Sequence, residues 1–262
     1  MKKAFKILGI VGLVFLQSCN ISYKKVTLSA EEAKEFLTTL KARVQEDGFE
    51  VPQYGTRIQE SYDKENPLNN FLYETKFSKE IGSRYYYEKK DDSSSDSAQY
   101  FYEKDDKFYC YAESSSSNEY FIKEISSDEF AMYFYTFIEN NSFSDSKLRS
   151  MFSSFFDSFL NLYELKEYCE ADDNKYDEVS ISITFIKYNE SSFKIKALCQ
   201  CFPGSSSDYI LDICGECENY YEKCFSIKKY QTLDEYNEGD YENYALQEFK
   251  WNKIDYIYPN ID

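Results

Sequence analysis

Gln99-Tyr100-Phe101-Tyr102-Glu103, then Lys104-Asp105-Asp106, then Lys107-Phe108-Tyr109-Cys110-Tyr111-Ala112 is the stretch on which the fold turns. Two runs rich in aromatic residues flank a short polar loop, and that spacing predicts a β-hairpin. Outward from it the pattern repeats. Phe71 to Phe77 and Ser83 to Lys89 read as strands around Gly82, Asp91 to Ser97 and Ser114 to Asn118 as polar turns, and Glu119 to Ile125 as a further strand. Strands joined by such short links pair antiparallel, because a parallel pair needs a long crossover.

Helical patterns bracket this meander. Ser29 and Glu32 make a capping box ahead of an apolar stripe of Ala33, Phe36, Leu37, Leu40 and Val44, which predicts a helix over about 29–46, ended by Gly48. Ser126 and Glu129 open a second helix, to about Glu139, with Phe130, Phe134, Phe137 and Ile138 on one side. A third is expected from about 145 to 163, its stripe of Leu148, Met151, Phe152, Phe155, Phe159 and Leu162 widened by Phe156, Leu160 and Tyr163. A stripe that broad is buried on more than one side, the favoured reading, or touches a ligand; Phe152, Phe155, Phe156 and Phe159 are the ligand-facing candidates.

After an acidic loop the period of two returns. Val179 to Phe185 alternates; Phe193, Ile195, Ala197, Cys199 and Cys201 share one face of the next strand; Tyr209 to Ile213, Tyr220 to Lys228 and a segment within Ala245 to Tyr258 are further candidates. Helix, strands, helices, strands reads as an α+β fold. The expectation is an N-terminal helix and a curved, largely antiparallel sheet, an open half-barrel, with two central helices packed on one face.

The first twenty residues carry a different signal. Lys2, Lys3 and Lys6 precede the apolar run Ile7 to Leu16. That run is too short for a bilayer, which takes about 20 residues, and suits a signal peptide. Leu16-Gln17-Ser18-Cys19 follows, and it resembles the lipobox of bacterial lipoproteins. The resemblance implies that the Cys19 thiol receives a diacylglyceryl group, that the chain is cut before it, and that the protein is exported and lipid-anchored to the outer face of a bacterial membrane. The expected organisation is a signal peptide over 1–18, a tether over 19–28 and a single α+β domain over 29–262. The order of elements also resembles that of periplasmic lipoprotein carriers and mycobacterial lipid-carrying lipoproteins, which join an N-terminal helix, a bent antiparallel sheet and interrupting helices. This likeness is one of element order and transfers no site residue.

Composition narrows function. The 262 residues hold 30 basic and 47 acidic side chains, a net charge of −17. Three lysines and no acid fall within 1–18, so the chain from Cys19 carries about −20. Nucleic acid and anionic lipid headgroups are excluded as partners on that balance. The 27 Tyr and 22 Phe accompany a Lys-rich, Arg-poor composition typical of AT-rich coding, and are not a ligand signal by themselves. There is no histidine. Serine and cysteine hydrolases with an imidazole base, and the usual zinc hydrolases, are thereby removed. Paired carboxylates survive. Neither a cofactor nor catalysis is expected.

Seven cysteines remain besides Cys19. Export favours disulfides, and an odd number leaves at least one thiol. The expectation is at most two bonds, drawn from Cys199, Cys201, Cys214, Cys217 and Cys224 and from Cys110 with Cys169. The alternatives are four thiolates on zinc at Cys199, Cys201, Cys214 and Cys217, or a redox dithiol at 214 and 217. The function expected is binding of an apolar or lipid-like ligand between sheet and helices. A surface protein partner or adhesion is the alternative, and a carboxylate-based envelope hydrolase the third reading.

Overall fold

The period-two runs assemble into one sheet of twelve strands in a computed structural model that describes residues 25–80, 83–90, 97–114, 119–171, 179–201, 209–254 and 259. The first half of the chain supplies β1 (Val26–Thr27), β2 (Tyr54–Asp63), β3 (Phe71–Ser78), β4 (Ser83–Lys90), β5 (Ser97–Lys104), β6 (Lys107–Ser114) and β7 (Glu119–Ile125). The second half supplies β8 (Val179–Asn189), β9 (Ser192–Cys201), β10 (Tyr209–Glu218), β11 (Tyr221–Tyr230) and β12 (Asn243–Lys250). Their spatial order is β1-β8-β9-β10-β11-β12-β2-β3-β4-β5-β6-β7, and every described pairing is antiparallel. Two local meanders, β2 to β7 and β8 to β12, thus meet at a seam where β12 pairs with β2.

Among the described residues four α-helices accompany the sheet: α1 (Ala30–Gln45), α2 (Ser127–Asn140), α3 (Asp145–Glu170) and α4 (Leu233–Glu238). The capping boxes at Ser29/Glu32 and Ser126/Glu129 form with both reciprocal bonds in place. The α+β class, the curved antiparallel sheet and the central helices on one face match the sequence expectation.

Pairing register decides which side chains meet the helices. Phe193, Ile195, Ala197 and Cys199 of β9 stand opposite Cys217, Gly215, Ile213 and Leu211 of β10. Directly paired residues share a face, and this face carries the core. Phe193 is fully buried, with Phe36 of α1, Phe185 of β8 and Phe155, Phe156 and Phe159 of α3 as ring neighbours at 4.8 to 6.3 Å. Helix α1 lies beside α3, joined by Lys41 to Asp157 (2.6 Å), Gln45 to Ser153 (2.9 Å) and the Lys34–Glu167 pair. Helix α2 covers the other flank of the same face, where Phe130 packs with Phe101, Phe108 and Ile125. Between α2 and α3, Phe143 stacks on Phe77 of β3 at 4.1 Å, and Arg57 of β2 donates to the Asn141 carbonyl at 3.2 Å.

Three boundaries differ from expectation. Val26 and Thr27 pair with Lys187 and Ile186, so the end of the expected tether is a strand, too short to show a period of two. Helix α3 runs on to Glu170. Its last turns lack an apolar stripe and are held by the charged pairs Lys166–Glu170 and Lys34–Glu167. Helix α4, opened by a Thr232/Glu235 capping box and ended by Gly239 at φ 76, is too short to carry an apolar stripe. The signal segment, Cys19 and the first part of the tether lie outside the described residues.

Candidate functional site

Phe152, Phe155, Phe156 and Phe159, the ligand-facing candidates, are core residues. They are 0, 5, 0 and 1 % exposed, and the space around them is filled by Phe193, Phe225, Tyr221 and Trp251. The space between α3 and β9 to β11 is packed with rings, which corrects that reading. The broad stripe arises because α3 is buried against both α1 and the sheet.

The cysteine expectations are corrected too. Cys169, Cys214, Cys217 and Cys224 are free thiols. Cys110 packs beside Phe101 and Phe130 near β7, whereas Cys169 packs beside Ile181, Ala197 and Cys199 at the other flank of the sheet, so no bond joins those two. Cys214 pairs with Lys196, between the core-facing pairs Gly215–Ile195 and Ile213–Ala197. It therefore points to the opposite face from Cys199 and Cys217, and four thiolates do not converge on one metal. The same reversal parts the Cys214–Cys217 dithiol. The side chain of Cys201 lies outside the described residues. Burial pushes the Cys217 and Cys214 thiols up, and Cys224 to about 11, so they are poor nucleophiles. Thiol titration of the denatured, unreduced protein is expected to find at least these four thiols free; a smaller number would contradict the structure.

What the helices leave bare is more informative. The residues of β2 on the helix-bearing face are Gly55, Arg57, Gln59, Ser61 and Asp63, a polar series on a central strand. Their β12 partners include Phe249, Gln247, Ala245 and Asn243. Ala245 is exposed although it lies mid-sheet on that face. Helices α2 and α3 diverge from their shared link, one toward β6 and the other toward β8, and leave this middle open.

A trough of about 550 Å³ lies there. Ser61, Phe71, Ile227 and Ala245 contribute to its floor, and Leu68 and Asn69, in a short 3-10 turn, form one wall. Asp63, Lys229 and Asn243 mark its end. Lys229 is held by Glu242 at 2.7 Å, and Glu242 also accepts from Gln231 at 2.6 Å. The Lys229 bond holds the Glu242 carboxyl below the usual range. Asp63 accepts from the Asn69 side chain and the Asn66 and Glu65 amides, which likewise hold it low. The Asn243 side-chain oxygen is buried with no hydrogen-bond partner among the described residues.

A polar chain continues along the same face. Gln59 donates to Gln247 at 3.2 Å, and Gln247 donates to the Glu222 carboxylate at 2.9 Å. Glu222 is 2 % exposed, and burial pushes its carboxyl up to about 7 against the Gln247 bond and the Arg57 charge. The Trp251 indole donates to the Glu222 carbonyl at 2.7 Å. Asp63 pairs with Asn243, which pairs with Lys229, seven residues along β11 from Glu222. At about 3.3 Å per strand residue the two acids are some 20 Å apart, well beyond the roughly 5–10 Å of a glycosidase pair.

The sequence marks Phe71 and Ala245 only as strand positions, and none of the trough residues as a site. The trough's signal was there as the missing apolar alternation of β2 within a strand-rich region. No family model matches the chain, and no curated protein and no solved structure shows significant similarity to it.

Proposed function

We propose that the protein is a lipid-anchored bacterial lipoprotein that binds, without chemistry, an amphipathic, lipid-like ligand in the trough on its helix-bearing sheet face. The observation that carries this reading is the bare middle of that face: Ala245, Ile227, Phe71 and Leu68 give an apolar bed open to the outside. A soluble domain normally covers such a surface, and one left open marks a binding site. The polar end of the trough sets the kind of headgroup. Lys229 is already neutralised by Glu242, Asp63 adds a negative charge, and Asn243 offers an unused acceptor. An uncharged, hydroxyl-bearing head fits; an anionic one is repelled.

Anchoring through Cys19 keeps the trough near the bilayer that supplies such molecules. Binding of a fluorescent diacylglycerol tests the reading. Ala245→Trp fills the bed and is expected to weaken binding by roughly tenfold or more, the scale of a lost apolar contact. Undiminished binding, or none by the native protein, overturns it. In the same preparations Cys19→Ala should move the protein from the membrane to the soluble fraction.

A second reading, a protein partner, is favoured by the opposite sheet face. There Tyr62, Tyr241 and Tyr244 form a ring cluster, with Lys228 over Tyr241 and Tyr244 at 5.2 and 5.6 Å. Rigid tyrosines are the common currency of protein interfaces.

A further inference from the structure

The two edges of the sheet are unlike. One ends in β1, two residues long and followed at once by α1. The other ends in β7, seven residues whose sole described strand partner is β6. Its pairing with β6 runs from Phe108–Ile125 to Ser114–Glu119 with no shift of register, so no bulge twists this edge away, and it holds no proline. Its outer side therefore presents a straight row of backbone donors and acceptors. Folded proteins usually blunt such a row, because it is a template for another strand.

The side chains repeat the message. Phe121 is 53 % exposed and Ile122 41 %. Successive strand residues point to opposite faces, so the midpoint of this edge is apolar on both sides at once. A partner that only covered one face would leave the other wet. A strand added to the edge meets both.

We infer that β7 is the dimerisation surface of this protein, pairing antiparallel with β7 of a second copy about a twofold axis at Ile122. The sequence of the strand is complementary to itself in that register. Ile122 meets Ile122, and Phe121 stands opposite Lys123 of the other copy, on the same face, an aromatic ring against an ammonium rather than charge against like charge. A shift of two residues that put Lys123 on the axis would set ammonium against ammonium. Lys123 and Glu124 also disfavour pairing with an arbitrary strand, so the edge is selective as well as sticky. The contact is isologous and uses the β7 edge of both copies, so it closes on itself at two copies sharing one continuous sheet. This does not depend on what the trough binds.

The test uses the full lipidated chain in detergent, with its protein mass measured by light scattering. The native protein is expected to be a dimer. Ile122→Lys places two ammonium groups at the axis on an exposed position, and should weaken the dimer by roughly tenfold or more. Ile122→Cys reports position: its thiols meet at the axis and should form a cross-linked dimer with mild oxidant. Leu68→Cys, also on the surface but remote from β7, should give no cross-link beyond that of native protein. A monomer at all concentrations, or a dimer indifferent to Ile122→Lys and not cross-linked through Ile122→Cys, overturns the proposal.

Discussion

Gly215→Ala should lower the unfolding free energy by about 3 kcal/mol, the upper end of the range for overpacking a filled core. A Cβ at this position of β10 would fall 2.1 and 2.7 Å from ring atoms of Phe159 and 3.1 Å from Ile195. The Phe159 ring is 1 % exposed and hemmed in by Phe155, Phe193 and Phe225, so it has nowhere to retreat. Urea denaturation measures the loss. Adding Phe159→Leu to Gly215→Ala should recover part of it, because the clash is with that ring. A change under about 0.5 kcal/mol for Gly215→Ala, the size of an indifferent surface substitution, would mean that α3 does not press on β10 as described.

The second large effect depends on pH. Glu222 has its carboxyl raised from 4.5 to about 7 by burial. A raised acid binds its proton more tightly in the folded protein than in the unfolded chain. Below 4.5 both states are protonated and the group makes no difference. As pH rises from 4.5 toward 7 the unfolded chain loses the proton first, and stability falls. Above 7 the full penalty, roughly 3 kcal/mol for a shift of this size, persists. Glu222→Gln keeps an acceptor for Gln247 and cannot ionise. It should match the native protein below pH 4.5 and exceed it by roughly 3 kcal/mol above pH 7. Denaturation followed at several pH values by fluorescence of Trp251, whose indole is bonded to the Glu222 backbone, reads this directly. Equal stabilities above pH 7 would show that the carboxylate is not desolvated.

Much of the fold was legible because local chemistry and tertiary structure agree. The Lys104-Asp105-Asp106 loop does turn the chain back: Asp105 and Asp106 adopt φ of 51 and 59, and β5 pairs with β6 up to Lys104–Lys107. The stripes of α1 and α2 are the residues found buried. The sheet order was not legible. β12 and β2 pair Lys250 with Thr56, and nothing in either strand advertises a partner so far along the chain. The trough was hidden for a related reason. A central strand with Gln59, Ser61 and Asp63 on its helix-bearing face does not advertise that face when burial is the only guide. Those polar residues are tolerated only because α2 and α3 part above them. The cysteines misled because spacing along β9 and β10 says nothing about face until the register is known: Cys214 and Cys217 are three apart, and an odd separation puts them on opposite sides.

The seam between the two meanders bears on how the chain reaches its native state. Each meander closes through local links, the helix-bearing segment between Tyr230 and Asn243 included, whereas β12 must find β2 across nearly the whole folded length, a closure with a larger entropic cost and a slower rate. The halves are therefore set to form first as separate curved sheets, with the joining of β12 to β2 as the slow step. Until that step β2 is a second bare edge, and newly emerged chains are exposed to mispairing with one another. The eight residues Asn243–Lys250, the last of the described strands, are the keystone that closes this interval.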